Sequence, residues 1–227
     1  MEKIRAILSD GGNILFSDSG MKKGPYKYLQ KFMPKYLPTI TFEEFEDKFH
    51  KYKARAQTFL DYDNNDALKD YLKSIGFPHI LELVKLNEKN EKSEKIITLF
   101  EGVKETLERI NEKNIKFIIL TDSTKQGREL WPFLEKTGIA RYVTDIISSK
   151  DLGVRKPDER FLNEPLKRHQ LVKEEVIFLG HDYDELKGAW DQGFKVYALN
   201  YNKCDNLNFL IKENKLEKFA DLERLIE

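Results

Sequence analysis

Four short polar clusters carry most of the chemically capable side chains in this 227-residue chain. They are Ser9-Asp10-Gly11-Gly12-Asn13, then Thr121-Asp122-Ser123, then Ser148-Ser149-Lys150-Asp151 running on to Arg155-Lys156-Pro157, and last Gly180-His181-Asp182-Tyr183-Asp184-Glu185. Carboxylates, hydroxyls and a lysine are the groups of nucleophilic, electrostatic and cation-binding chemistry. Singly, each cluster has a plainer reading. An Asp before two glycines favours a turn. Thr-Asp-Ser ahead of a helical pattern is most often an N-cap. Lys-Pro is generally surface, and His181 need be no more than a hydrogen-bonding neighbour in its loop. The informative feature is the conjunction, because every cluster directly follows an apolar run.

Those runs, at 4–8, 115–120 and 176–179 with a weaker one at 143–147, are strand-length and rich in Ile, Val, Leu or Phe, as is a fifth at 196–199. Several keep apolar residues at successive positions, which suits strands buried on both faces of a parallel sheet. Helical patterns lie between them at 103–111, 125–137, 159–170 and 184–192. Alternating strand and helix predicts a layered α/β fold with right-handed crossovers. Open parallel sheets bind ligands at the carboxyl ends of their strands, which is where all four clusters fall.

About a hundred residues separate the first run from the second, far more than an ordinary crossover needs. Residues 19–95 read as helical. Thr41 and Glu44 form a capping-box signature opening a run through Phe42, Phe45, Phe49, Tyr52 and Phe59. These aromatics are expected to be mostly the core of a helical module. Residues 64–75 make a second amphipathic stretch closed by Gly76 and Pro78, 80–86 a third, and 22–36 an earlier one broken at Pro34. The charged segment 88–95 reads as a solvated return linker, and Lys22, Lys23 and Lys27 as solvated. Trp131 and Trp190 are expected to pack.

Lys plus Arg and Asp plus Glu are both 39, so the net charge is zero and a broad nucleic-acid or membrane-surface binder is not expected. Cys204 is the single cysteine, which excludes an internal disulfide and a multi-cysteine zinc site. No secretory signal is expected at the start, and no stretch approaches the ~20 apolar residues of a membrane span. The expectation is a cytoplasmic globular protein.

The order and spacing of the clusters resemble the haloacid dehalogenase-like (HAD) hydrolase superfamily, whose commonest members are phosphatases. The resemblance covers residues 4–12 and 103–199. It is most specific in Ile146-Ile147-Ser148-Ser149 through Gly153 and in Lys156-Pro157-Asp158, and next in 176–193, with Gly188-Ala189 and Gly193 in place. It implies a three-layer parallel-sheet (Rossmann-like) α/β core at 1–17 and 96–227, strand order 5-4-1-2-3, and an inserted helical cap at 18–95. It implies Asp10 as a nucleophile forming an aspartyl-phosphate, Thr121 as a hydroxyl donor to a phosphoryl oxygen, and Lys156 as the offsetting cation. Gly11, Gly12, Asp122 and Ser123 would surround the phosphate of a small phosphorylated metabolite. A magnesium ion, Mg2+, would sit between Asp10 and substrate, with the Gly12 carbonyl as a further ligand.

The chain departs from this pattern at catalytic positions. Gly12 stands where those phosphatases carry a second Asp as general acid and base, and Ile14 where they carry Thr. His181 stands at a metal-binding Asp and Glu185 at the second acid. His181 is a poor magnesium ligand; either Asp182 reaches the ion instead, with Asp184 or Glu185 holding its waters at the metal site, or the imidazole favours a transition metal. Losing a general acid should slow esters with poor leaving groups most. A metal-free dehalogenase is the alternative hydrolase, needing an arginine near the cap entrance, and Arg55 is the only one between Asp18 and Lys95. Gly12 together with His181 also suits a decayed binding protein without turnover.

Overall fold

The computed structural model describes residues 3–16, 40–77, 80–91, 98–203 and 205–226. Its elements in chain order are β1 (Ala6–Ser9), α1 (Phe42–Ala56), α2 (Asn64–Ser74), α3 (Ile80–Glu91), α4 (Val103–Glu112) and β2 (Lys116–Thr121). Then follow α5 (Gly127–Thr137), β3 (Asp145–Ser148), α6 (Ser149–Leu152), α7 (Glu159–His169), β4 (Val176–Gly180), α8 (Tyr183–Asp191) and β5 (Lys195–Ala198). By contact the chain divides into two compact units, Met1–Ser17 with Ile97–Glu227, and Asp18–Ile96.

The first unit is built on a five-stranded, all-parallel sheet in the order β3-β2-β1-β4-β5, with β1 central as expected. Successive apolar residues in each strand feed two opposite cores. Ile7, Phe117, Ile119, Ile177 and Leu179 pack with Val103, Leu107 and Ile110 of α4 and Leu134 of α5. Leu8, Ile118, Leu120, Phe178 and Val196 pack with Phe161 and Leu162 of α7 and Leu186 and Ala189 of α8. Two cores on one sheet make three layers, which is why the strands read as unbroken apolar runs. Ser9 pairs with Ile119 and with Leu179, and Thr121 with Ser148, so the chain leaves these strands at one carboxyl edge.

The second unit is helical. Thr41 accepts from the Glu44 amide (3.2 Å) and Glu44 accepts from the Thr41 amide (2.9 Å), closing the expected capping box. Phe45 and Phe49 of α1 pack with Leu68, Tyr71 and Leu72 of α2 and with Leu83 and Val84 of α3, and Tyr52 lies partly buried against them. Phe59 departs from the expected stripe. Helix α1 ends at Ala56, so helical spacing no longer applies, and Phe59 is 59% exposed. The charged run is also shorter as a linker than expected. Helix α3 continues to Glu91 because Lys and Glu are good helix formers even without an apolar face.

The 22–36 segment with Lys22, Lys23 and Lys27, residues 92–95 and Cys204 lie outside the described residues, as does the Phe42 side chain. Trp131 is packed against the core, whereas Trp190 is 40% exposed and rests its ring 5.8 Å from that of Phe209. Among the described residues, no helix is long and apolar enough to cross a membrane.

Phe178→Ala, in the fully buried sheet core, is expected to cost about 3–5 kcal/mol. Exposed Phe59→Ala is expected to stay within about 0.5 kcal/mol of wild type. Urea unfolding of the two variants checks the contrast.

Candidate active site

Asp10 is the first residue past the central strand. Its amide donates to the Leu179 carbonyl at 3.1 Å, which ties the strand exit of β1 to that of β4. Its Oδ1 accepts from the Gly11 amide at 2.8 Å and lies 3.1 Å from Lys156 Nζ. Lys156 enters from the loop between α6 and α7, and its side chain is only 1% exposed. Its ammonium also donates to the Leu120 carbonyl (3.2 Å) and meets Glu185 Oε1 at 2.8 Å.

Several contacts hold that lysine in place. Asp122 Oδ1 accepts from the Lys156 amide at 3.2 Å, while Asp122 Oδ2 lies 3.5 Å from Arg155 Nε. Gln192 Nε2 donates to the Pro157 carbonyl at 2.7 Å. Gly188 lets α8 lie directly against the loop, since a Cβ there would fall 2.2 Å from Pro157 Cβ. Helix α8 thereby delivers Glu185, in its first turn, onto the ammonium.

One buried ammonium facing two carboxylates leaves an excess of negative charge. Burial lowers the Lys156 pKa, but Asp10, Glu185 and Asp122 outweigh it, and the group stays protonated beyond the ordinary lysine range. Burial raises the Glu185 carboxyl to about 8; Lys156 opposes the rise and Asp10 adds to it. Burial also raises Asp122, against Lys156 and Arg155.

His181 completes the group. Its Nδ1 lies 3.3 Å from Asp10 Oδ2, and its Nε2 faces Asn13 Nδ2 at 3.2 Å and Asp182 Oδ1 at 3.5 Å. Asp10, His181 and Glu185 each offer a ligand atom within 4.8 Å of the others. Asp182 stands apart from that set: it is the N-cap residue of α8, and its side chain is 64% exposed. Magnesium prefers a near-octahedral shell of hard oxygens. This cluster offers two carboxylates and an imidazole nitrogen, so it fits a divalent cation but fits magnesium poorly.

The remaining expected residues fall close by. Thr121 ends β2 and is half-buried. Ser123 is tied to α6 and to its own loop: its amide donates to Ser149 Oγ (3.1 Å) and its hydroxyl accepts from the Lys125 amide (3.0 Å). Gly11 is buried, with Ile119 Cγ2 3.4 Å from where its Cβ would be, and Gly12 bridges to Phe16 in a tight turn. In that turn Ile14 points into the core. Two asparagines also join the site, Asn13 from the end of the first cluster and Asn200 from outside all four. Asn13, at φ 56°, reaches His181, and Asn200, at φ 53°, donates from Nδ2 to the Asn13 carbonyl at 2.7 Å. Asn200 follows the fifth apolar run, so the strand-exit rule that finds the other clusters could find it too.

Residues 36–199 match the family model described as haloacid dehalogenase-like hydrolase. A phosphoglycolate phosphatase of Photobacterium profundum is 31% identical over 103 residues, 45% of this chain and 44% of that protein. Another, of Pasteurella multocida, is 25% identical over 178 residues, 77% of this chain and 73% of that protein. The match thus spans under half the length of the first relative. Among solved structures, the 2-haloacid dehalogenase from Pseudomonas syringae pv. Tomato DC3000 superposes with TM-score 0.71 at 16% identity over 98% of both chains. The HAD phosphatase from Thermococcus onnurineus does so with TM-score 0.64 at 17% identity, also over 98% of both. At these identities the structural likeness speaks for the fold.

Two outcomes follow from the lysine's surroundings. Gly188→Ala must push the Pro157 loop aside and is expected to destabilise the fold by about 1–3 kcal/mol in chemical denaturation. The second concerns pH. With its pKa raised, folded Glu185 keeps its proton to higher pH than the unfolded chain does, so its contribution is fullest below about pH 4. That contribution is lost as pH rises through about 8. Glu185→Gln, which imitates the protonated form, should match metal-free wild type at low pH and become the more stable protein as pH rises; urea midpoints across that range read the difference.

Proposed function

The chain belongs to the haloacid dehalogenase-like hydrolases, and from that premise we propose that it hydrolyses small phosphate monoesters through an aspartyl-phosphate on Asp10. The observation that carries this reading is a carboxylate at the exit of the central strand, 3.1 Å from an ammonium that burial and ion pairing keep charged. In the first step the Asp10 carboxylate attacks phosphorus. The bond to the ester oxygen breaks, and the electron pair leaves with the alcohol, which takes its proton from water. Water then cleaves the acyl phosphate, releasing inorganic phosphate and restoring Asp10. Lys156 offsets the negative charge that gathers around the transferring group, an effect enlarged in a desolvated site. Thr121 is the proposed hydroxyl donor to a phosphoryl oxygen, with Gly11, Gly12, Asp122 and Ser123 around it.

Gly12 supplies no acid to the leaving group, a loss worth about 10²–10⁴-fold for leaving groups that need a proton. Activated aryl esters are therefore the proposed best substrates in vitro. Phosphoglycolate is the first metabolite to try, because relatives bear that name. The helical unit is the proposed cap and the element that chooses among substrates. Halide release from 2-haloacids is the second reading, favoured by the absence of an acid at Gly12. Arg55, the candidate carboxylate holder, stacks its guanidinium 4.5 Å from the Tyr62 ring within the helical unit, which supports a packing role instead.

Turnover of an aryl phosphate across several divalent cations tests the proposal, with Asp10→Asn as the comparison. Loss of at least about 10³-fold in the variant is expected, in line with removal of a covalent nucleophile. Equal rates in the two proteins would overturn the reading, and halide release without phosphate release would replace it with the dehalogenase.

A further inference from the structure

Each carboxylate of the cluster gives one oxygen to Lys156 and holds the other away from it. Asp10 Oδ1 takes the ammonium and the Gly11 amide, while Asp10 Oδ2 faces His181 Nδ1 at 3.3 Å. Glu185 Oε1 takes the ammonium, while Glu185 Oε2 is buried without a hydrogen-bond partner. His181 Nδ1 is likewise buried and unpartnered, despite the nearby Asp10 oxygen. Glu185 as a whole is only 8% exposed. Buried polar atoms are normally satisfied, so two orphans within one three-residue cluster mark a place for something that accepts lone pairs. A proton on His181 Nδ1 would serve that atom alone, through Asp10 Oδ2, and leave Glu185 Oε2 without a donor; a cation held by the cluster satisfies both.

From this donor set we propose that the Asp10–His181–Glu185 site selects a first-row transition-metal dication, such as manganese or cobalt, over magnesium. Imidazole nitrogen suits the transition ions, whereas magnesium holds to oxygen ligands. The layer behind His181 agrees. A metal-bound imidazole usually turns its other nitrogen to a carboxylate or carbonyl, and Nε2 here has Asp182 Oδ1 at 3.5 Å. The Asn13 amide at 3.2 Å accepts from Nε2 once its oxygen and nitrogen are exchanged, an assignment that heavy-atom positions leave open. Asp182 is then a positioning residue for His181, and the lost aspartate ligand is replaced by the histidine itself. This inference deepens the reading of the same site and rests on it only for the role of Asp10. Metal binding is measured without substrate, so it can fail while hydrolysis stands, and the reverse.

The test is calorimetric titration of the metal-free full chain with manganese, cobalt and magnesium chlorides, joined to pulsed electron paramagnetic resonance of the manganese-loaded protein. Manganese and cobalt are expected to bind at least about tenfold more tightly than magnesium. The manganese spectrum should carry nitrogen-14 coupling from an imidazole. His181→Asp should remove that coupling and narrow the manganese-to-magnesium preference by about tenfold, as an all-oxygen set allows. Wild type without nitrogen coupling, a preference unchanged in His181→Asp, or no binding of either transition ion would each overturn the proposal. If His181→Asp does not fold, the wild-type coupling alone decides.

Discussion

The structure of the core depends on keeping a lysine ammonium charged where water does not reach it. An ion of that size loses several kcal/mol of hydration on burial, and only well-placed partners offset the loss. Lys156 has three: the Asp10 and Glu185 carboxylates and the Leu120 carbonyl. Each comes from a different part of the chain, after β1, early in α8 and at the end of β2. The ammonium can be satisfied only if those parts meet at one point, so the sheet register, the loop before α7 and the approach of α8 are all constrained by it. Removing the ammonium itself leaves the buried carboxylates uncompensated, typically a loss of about 3–5 kcal/mol. That makes the site a fixture of the fold as well as its proposed chemistry.

The supporting contacts follow from the same requirement. A glycine at 188 is the condition for α8 to lie close enough to bring Glu185 within 2.8 Å of the ammonium. Gly127 has a parallel role at the β2 exit. A Cβ there would sit 2.1 Å from the Ile146 carbonyl, and its amide donates to Asp151 Oδ2 at 2.9 Å, binding the start of α5 to β3 and α6. Close backbone approach, with no room for a methyl group, is how three strand exits are drawn together around one small site.

Much of this is legible in the chain because it rests on local rules. Apolar runs buried on both faces have few alternatives to a parallel sheet, and the polar residues just past them must then share an edge. The Thr41–Glu44 cap is equally legible, since a capping box needs only two residues at fixed spacing. What the residue types do not reveal depends on where elements stop or on backbone geometry. The aromatic stripe promises a buried Phe59, but periodicity says nothing of a helix end at Ala56. The segment 88–91 looks like linker because it lacks an apolar face, although Lys and Glu sustain a helix well. At the site, Asp182 is a candidate replacement ligand on chemistry alone. Its position as the N-cap of α8, with its side chain largely in solvent, is a property of the turn and not of the residue type.

The departures at Gly12, Ile14 and His181 make sense as one rearrangement. The turn after Asp10 is tight: the Leu15 amide donates back to the Gly11 carbonyl at 3.0 Å and the Asn13 amide to the Phe16 carbonyl at 2.9 Å. To close it, Asn13 adopts a left-handed conformation, which Asn tolerates better than most residues. Ile14 and Leu15 then turn inward and join the core under the sheet. A Thr at 14 in this turn would bury a hydroxyl among Ile and Leu side chains at a cost that Ile avoids. The same turn leaves Asn13 projecting toward His181, and Asn200 anchors it from the exit of β5. An Asp at 181 would set a third carboxylate beside Asp10 and Glu185 and increase a negative charge that Lys156 already fails to balance. An imidazole adds a ligand atom without adding that charge. The histidine, the asparagine that touches it and the apolar residue that follows therefore belong to a single packing solution.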